Sequence, residues 1–494
     1  MSTVPLAQRL SKVAAGGFLY SLLGNGMIYI GQIIIARSLD RIDYATFSVV
    51  VALVSLSAMF ADLGWTPLLV KRFAQAEADH VTTDQRGVLL GTSLLIKFVL
   101  SVAAAILGIV VASVIYGAET GVLVMVGTAT FFISSRVLVF RAVLESFVRA
   151  EGALDKVLRL GALDACAFAF LLFAWSSFDL TLTSAVAIYS LCHLPGFVLL
   201  LHYMNQVISK HEIRLSYDRS VAKDLFRTAL PLTIGMCLLT VHNMADTLIL
   251  EALSTPYQVS AYAASFRLMA GLAFLPAVVA GVVMPEFVKL LHRGEHDRAT
   301  KLTALSLQSL LTLAVFIALL LSALAPIVVD VLLGGRYADA WLLVVIFGWM
   351  FLPVAFASFI IELGIAAGRQ RMFGYYTAIL AAVTVVGDLI VAAPYGAVGV
   401  TLVKFLAIAI GCVVLVLQSM KSGALKDVLK SIKWRKNVLS LLLPLSVLGL
   451  MSYVGVASVI AGVVTATLFA GWSLWSGLVD LDRIASLLKG ITTR

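Results

Sequence analysis

The sequence predicts an all-α polytopic membrane protein of about fourteen transmembrane helices, and three observations carry that prediction. Of 494 residues, 61% are hydrophobic and 13% are charged, against roughly 25% charged in soluble domains. The mean hydropathy is +1.02. Apolar runs of about 20 residues, each long enough for a hydrocarbon core of roughly 30 Å, follow one another from residue 13 to residue 478 with short interruptions. No stretch between them is long and polar enough for a separate soluble domain.

In chain order the first six runs lie near 13–36, 43–63, 88–114, 120–146, 157–177 and 181–204. Six more lie near 228–250, 259–285, 303–333, 341–366, 372–392 and 396–418, and a last pair near 438–455 and 457–478. The basic N-terminus "MSTVPLAQRLSK" leads into a run about twice as long as a signal-peptide core, so the first segment is expected to be retained. Residues 1–204 form an expected N-terminal six-helix lobe, and 205–227 a cytoplasmic linker. A second six-helix lobe follows over 228–420, then a basic amphipathic cytoplasmic segment over 421–437, then two further helices and a tail over 438–494. In the amphipathic segment Leu425, Val428, Leu429 and Ile432 fall at i, i+3, i+4 and i+7 among lysines, a pattern suited to a helix on the inner leaflet or to an ordinary basic loop. Two parallel six-helix lobes related by a pseudo-twofold axis are a common transporter plan.

Orientation follows from Lys and Arg, whose excess marks cytoplasmic loops. Alternate loops carry Arg9 and Lys12, then Lys71, Arg72 and Arg86, then Arg141, Arg149, Lys156 and Arg159, then the linker cations from Lys210 to Arg227, and the alternation continues to the end of the chain. The intervening loops hold only Arg37, Arg41 and Arg336. Both termini of this multi-pass membrane protein are therefore expected in the cytoplasm. The net charge of +9 is mainly a topology signal, with attraction to anionic membrane lipids beside it, and gives no ground for a nucleic-acid partner.

Charged residues inside the spans are the candidates for function, because each costs at least about 2.5 to 3.5 kcal/mol to insert and usually faces a cavity or a partner. The cations are Lys97, Arg136, Arg267 and Lys404; the acids are Asp164, Asp246, Asp388 and Glu362; His193 and His242 complete the set. Sequence depth allows Asp246 to pair with Arg267 and Asp388 with Lys404, and places His242 one turn from Asp246, a set that pairs internally or couples to an ion. Lys97 and Arg136 have only Asp164 near them in sequence. Their excess charge suits either a cationic cavity for a phosphate or pyrophosphate, or an intramembrane ion-pair network.

Other chemistry is absent. The chain has no G-x-x-x-x-G-K-[ST] loop, no H-E-x-x-H and no G-x-S-x-G. Cys166, Cys192, Cys237 and Cys412 lie in apolar runs without metal-ligand spacing and read as packing residues. No catalytic or metal-binding residue is expected. Transport would draw on an ion gradient or on substrate removal at the far side. A cation-coupled drug exporter and a membrane polysaccharide polymerase are the alternatives to be tested.

The stretches "RSLDRIDYATFSVVVALVSLSAMFADLGWTPLLVKRFAQ" at 37–75 and "ADTLILEALSTPYQVSAYAASFRLMAGLAFLPAVVAGVVMPEF" at 245–287 resemble the polysaccharide-type flippases of the multidrug, oligosaccharidyl-lipid and polysaccharide exporter superfamily. The resemblance extends over nearly the whole chain. It implies translocation of an undecaprenyl-pyrophosphate-linked oligosaccharide across the bacterial inner membrane by alternating access, for O-antigen, capsule or exopolysaccharide assembly. It also implies coupling to H+ or Na+, and the polymerase and chain-length machinery as partners. Lys97, Arg136, Arg267 and Lys404 would then meet the pyrophosphate or acidic sugars, while Asp164, His242, Asp246 and Asp388 would couple to the ion or pair internally. These assignments rest on depth and charge, since the family has no short signature for its internal charges.

Overall fold

The computed structural model describes residues 6–62, 64–78, 82–137, 139–367, 369, 371–421, 423–432 and 458–475. Among them every regular element is helical, as expected where lipid offers the backbone no partner and each span must satisfy its own amides. Ten of these helices are long and apolar enough to cross a membrane. The chain divides into two compact units, Met1–Ser260 and Ala261–Arg494.

In the first unit α1 (Leu6–Ser38) packs along α8 (Leu154–Ser176), and α2 (Arg41–Asp62) packs against α4 (Thr83–Tyr116) and α11 (Arg219–Leu253). The turn into α2 is set by Asp40, whose carboxylate accepts the Asp43 amide at 2.8 Å and satisfies an otherwise orphaned donor. Where the sequence suggests a basic loop after residue 63, the structure has α3 (Trp65–Ala78). Its Trp65, Leu69 and Phe73 recur every four residues and are buried, with Trp65 edge-on to Phe226 and Phe73 edge-on to Phe147, while Lys71 is exposed.

Two of the spans predicted before residue 228 are broken. The run at 120–146 folds as α5 (Ala118–Gly127), the single turn α6 (Thr130–Ile133), non-helical residues at 134–137 and 139, and α7 (Phe140–Ala150). The run at 181–204 folds as α9 (Leu182–Leu191) and α10 (Leu194–Lys210). The linker after α10 runs beside α4, with the Asp218 amide donating to Thr92 Oγ1 at 3.0 Å. Asp218 then caps α11. Hydrogen bonds from the Ser220 hydroxyl and from the Ser220 and Val221 amides hold its carboxyl below the usual carboxylate range.

α12 (Pro256–Ala270) carries the chain into the second unit, and a short 3-10 turn at Gly271–Ala273 separates it from α13 (Phe274–His292). The long α14 (His296–Leu333) packs on α13 and α15 (Trp341–Ala366), and α15 packs on α16 (Arg371–Ser419). The 49 residues of α16 are two antiparallel arms joined at Gly396, whose φ of 53° and ψ of −141° suit a residue without a Cβ. Pairing of Gly387 with Val403, and of Gly411 with Leu380 and Tyr376, fixes the register of the arms. They correspond to the spans predicted at 372–392 and 396–418.

The amphipathic segment is helical over α17 (Gly423–Ser431), but its apolar stripe is covered by protein: Val428, Leu429 and Ile432 are buried where α17 packs on α14. α18 (Ser458–Trp475) also packs on α14. The expected span at 438–455 and the tail after residue 475 lie outside the described residues.

Candidate functional site

The charged core of the first unit starts at the end of α2. Asp62 accepts from the Gly64 amide at 3.2 Å and from the Thr66 hydroxyl at 3.1 Å, which turns the chain into α3. The same carboxylate meets Lys97, fully buried in the middle of α4, at 2.6 Å. Lys97 also donates to the carbonyl of Asp62 at 2.7 Å and to that of Ala61 at 3.4 Å, and its ammonium lies 5.9 Å from the Trp65 ring centre. All three ammonium hydrogens have acceptors. Lys97 is thus neutralised by Asp62, an acid at the last turn of the predicted run 43–63 that is not among the candidates legible in the sequence.

Arg136 stands in the non-helical stretch. Ser134 starts this break: its backbone is extended, and its hydroxyl accepts the Arg136 amide at 3.1 Å, a local bond that competes with helix. The guanidinium lies 4.9 Å over the ring of Phe168, which is itself edge-on to Tyr189. Irregular backbone at membrane depth is tolerated where protein buries it or where it lines a polar cavity. Both apply here, because Arg136 lines a cavity of about 220 Å³ together with Asp62, Thr240 and Asn243. Met59, Met236, Met244 and Cys237 supply a polarizable, adaptable wall. No hydrogen-bond partner among the described residues reaches the buried Nη2 of Arg136. With Asp62 already matched by Lys97, the lining holds one further charged residue, Arg136, and three neutral polar ones, Ser55, Thr240 and Asn243, a set suited to an anionic, hydroxyl-rich ligand.

Asp164 has a different partner from the two cations nearest to it in sequence analysis. It is buried on α8 and meets Arg141 at 2.7 Å. Arg141 was counted among cytoplasmic-loop cations; the structure buries it completely at the start of α7, where it also meets Glu145 at 2.9 Å. His193 Nδ1 lies 3.6 Å from Asp164. The sequence signal for this cluster was present in Arg141 and Glu145 at i, i+4, but the break in the span moved both into the interior.

His242 and Asp246 are buried on α11. In the second unit Arg267 is partly buried on α12. Asp388 and Lys404 are buried on opposite arms of α16, each eight residues from Gly396, and therefore share one level of the hairpin. The Lys404 ammonium lies 4.8 Å from the Phe266 ring centre. Glu362 is exposed on α15.

Residues 15–291 match the profile of a family described as polysaccharide biosynthesis protein. Among solved structures the chain is similar to the lipid II flippase MurJ in an inward closed conformation, with a TM-score of 0.68 and 14% identity over 93% of this chain and 98% of that one. It is also similar to an inward-facing multidrug resistance MATE family transporter of the MOP superfamily, with a TM-score of 0.63 and 14% identity over 82% and 96% of the two chains. A Vibrio cholerae MATE transporter gives a TM-score of 0.56 and 15% identity over 84% and 98%. No curated protein matches the chain by sequence. At these identities the structural likenesses establish the fold.

Proposed function

We propose, from the premise that the chain belongs to the polysaccharide biosynthesis protein family, that it is a flippase for undecaprenyl-pyrophosphate-linked oligosaccharide in the bacterial inner membrane. The observation that carries the reading is Arg136, held by a broken span against a cavity whose other charge, Asp62, is already paired. A lipid-linked glycan needs that arrangement: its pyrophosphate and sugars require charge and hydrogen bonds inside the hydrocarbon layer, while its tail does not. The MurJ likeness supports the same reading, since that protein is described as a lipid II flippase.

In this proposal Arg136 meets the anionic head group directly, and Lys97 acts by neutralising Asp62. Arg267 and Lys404 are proposed contacts of the head group at other stages of alternating access. Asp246, His242 and Asp388 are proposed carriers of H+ or Na+, and Asp164 is assigned to internal pairing. The glycan goes to O-antigen, capsule or exopolysaccharide assembly, with the polymerase and chain-length machinery as partners.

The test is complementation of cells lacking this gene, scoring surface polysaccharide and the leaflet in which lipid-linked repeats accumulate. At equal protein level, Arg136→Gln is expected to lower surface polysaccharide about tenfold or more and to leave repeats in the cytoplasmic leaflet, as loss of a charge-assisted hydrogen bond implies. Wild-type output from this variant rules out the site. Repeats that reach the outer leaflet of the null cells unpolymerised favour a polymerase instead, and unchanged pools with altered drug resistance favour a drug exporter.

A further inference from the structure

Two spans of the first unit are broken near their middles, and one buried arginine serves both breaks. Arg141 Nη1 donates to the carbonyl of Ile133, where α6 ends, at 2.8 Å, and to the carbonyl of His193, between α9 and α10, at 3.3 Å. The Ile133 carbonyl stands where the regular pattern of helix hydrogen bonds is interrupted, whereas the His193 carbonyl also accepts the Phe197 amide at 3.1 Å as the first bond of α10. The same nitrogen meets Asp164 Oδ2 at 2.7 Å, and Nε meets Glu145 Oε1 at 2.9 Å. Asp164 Oδ1 accepts the Gly196 amide at 3.0 Å, satisfying an N-terminal donor of α10. That contact requires glycine, because a Cβ at residue 196 would lie 2.3 Å from the carboxylate. Arg141 and Asp164 therefore fasten α6, α7, α8 and α10 around the non-helical stretch 134–137, and that stretch carries Arg136.

We infer that Arg141 and Asp164 are positioning residues that hold the non-helical stretch in one conformation and so aim Arg136 into the cavity, an assignment that rests on the reading of Arg136 as the head-group contact. Lysine cannot replace Arg141, because a single ammonium cannot reach Glu145 from one side while bonding two carbonyls and Asp164 from the other. An ordinary structural ion pair would stabilise the unit as a whole. A positioning pair acts on the function through Arg136 alone.

The experiment uses the full chain in detergent and has two readouts. Hydrogen exchange by mass spectrometry follows the peptide covering 133–140 against a peptide from α14. In Arg141→Lys the first is expected to exchange about tenfold faster and the second at the parent rate, as local opening requires. Binding of undecaprenyl pyrophosphate is then measured in a cycle with Arg136→Gln: Arg141→Lys is expected to weaken binding about tenfold in the parent and less than about twofold when Arg136 is already replaced. Should Arg141→Lys fail to accumulate, Asp164→Asn carries both readouts with the same expected pattern. Equal losses in both backgrounds, or unchanged exchange at 133–140, overturn the inference. A parent protein that does not bind the probe removes the head-group reading, and the exchange result alone then decides whether Arg141 holds the stretch.

Discussion

Lys97 shows how a buried charge in this chain is governed by its immediate neighbours. On the sequence it is a cation in the third turn of the run at 88–114, with no acid nearby in its own helix. In space it has Asp62 at 2.6 Å and two backbone carbonyls, so its charge is internally matched, and the cation that lines the cavity is Arg136. Removing one member of such a pair strands the other. Lys97→Met is expected to destabilise the protein by about 3 to 5 kcal/mol. Lys97→Met combined with Asp62→Asn, which keeps an acceptor for Gly64 and Thr66, should recover more than half of that loss. Thermal unfolding in detergent checks the order of midpoints: parent, double variant, single variant. A single variant that melts with the parent shows that the pair is not coupled. Arg136 and Lys97 were legible as intramembrane cations, whereas Asp62, the acid of Lys97, was not, because an ion pair between different helices leaves no spacing in the sequence.

At the scale of the element, the informative features are the places where helices stop. The hydropathy of 120–146 is continuous, yet Thr128 and Thr130 bond to carbonyls three residues back, and Ser134 turns the backbone into an extended segment. Those hydroxyls were readable in "GTATFFISSRV", but whether they break a helix depends on a partner for the freed carbonyl of Ile133, and Arg141 is that partner. Gly396 makes a similar point with one residue. Its φ and ψ lie where residues with a Cβ are strained, so Gly396→Ala is expected to cost about 1 to 3 kcal/mol. Gly396→Asn should be no better, since asparagine tolerates the left-handed helical region and not this ψ. Denaturation monitored by tryptophan fluorescence tests both, and parent-like stability of the alanine variant would show that the hairpin turn relaxes freely. α17 was visible as apolar residues at helical spacing, whereas α3 was hidden among the cations of an expected basic loop. That spacing does not say what covers the stripe, which proves to be other helices of the same unit.

For the whole molecule, the alternation of basic loops remains the argument for orientation. Arg141 leaves the set of loop cations because it is buried, but Arg149, Lys156 and Arg159 follow it within the same connection. The inside assignment of that loop therefore stands on three cations. Reporter fusions test the prediction directly: fluorescent protein should fold at both termini and after residue 215, and alkaline phosphatase should be active only at 38–40 and 334–336. Phosphatase activity at either terminus would invert the topology.

The sequence by itself determined that the chain is a helical membrane protein, where its apolar runs lie, and which buried cations are candidates for an anionic ligand. These follow from hydropathy and the cost of charge in hydrocarbon, which each residue carries with it. Only the tertiary structure decided which charges are matched: Asp62 with Lys97, and Asp164 and Glu145 with Arg141, leaving Arg136 at the cavity. The physical reason is that ion-pair energy depends on distances of a few ångströms between side chains on different helices, and those distances exist only after the helices have broken, turned and packed.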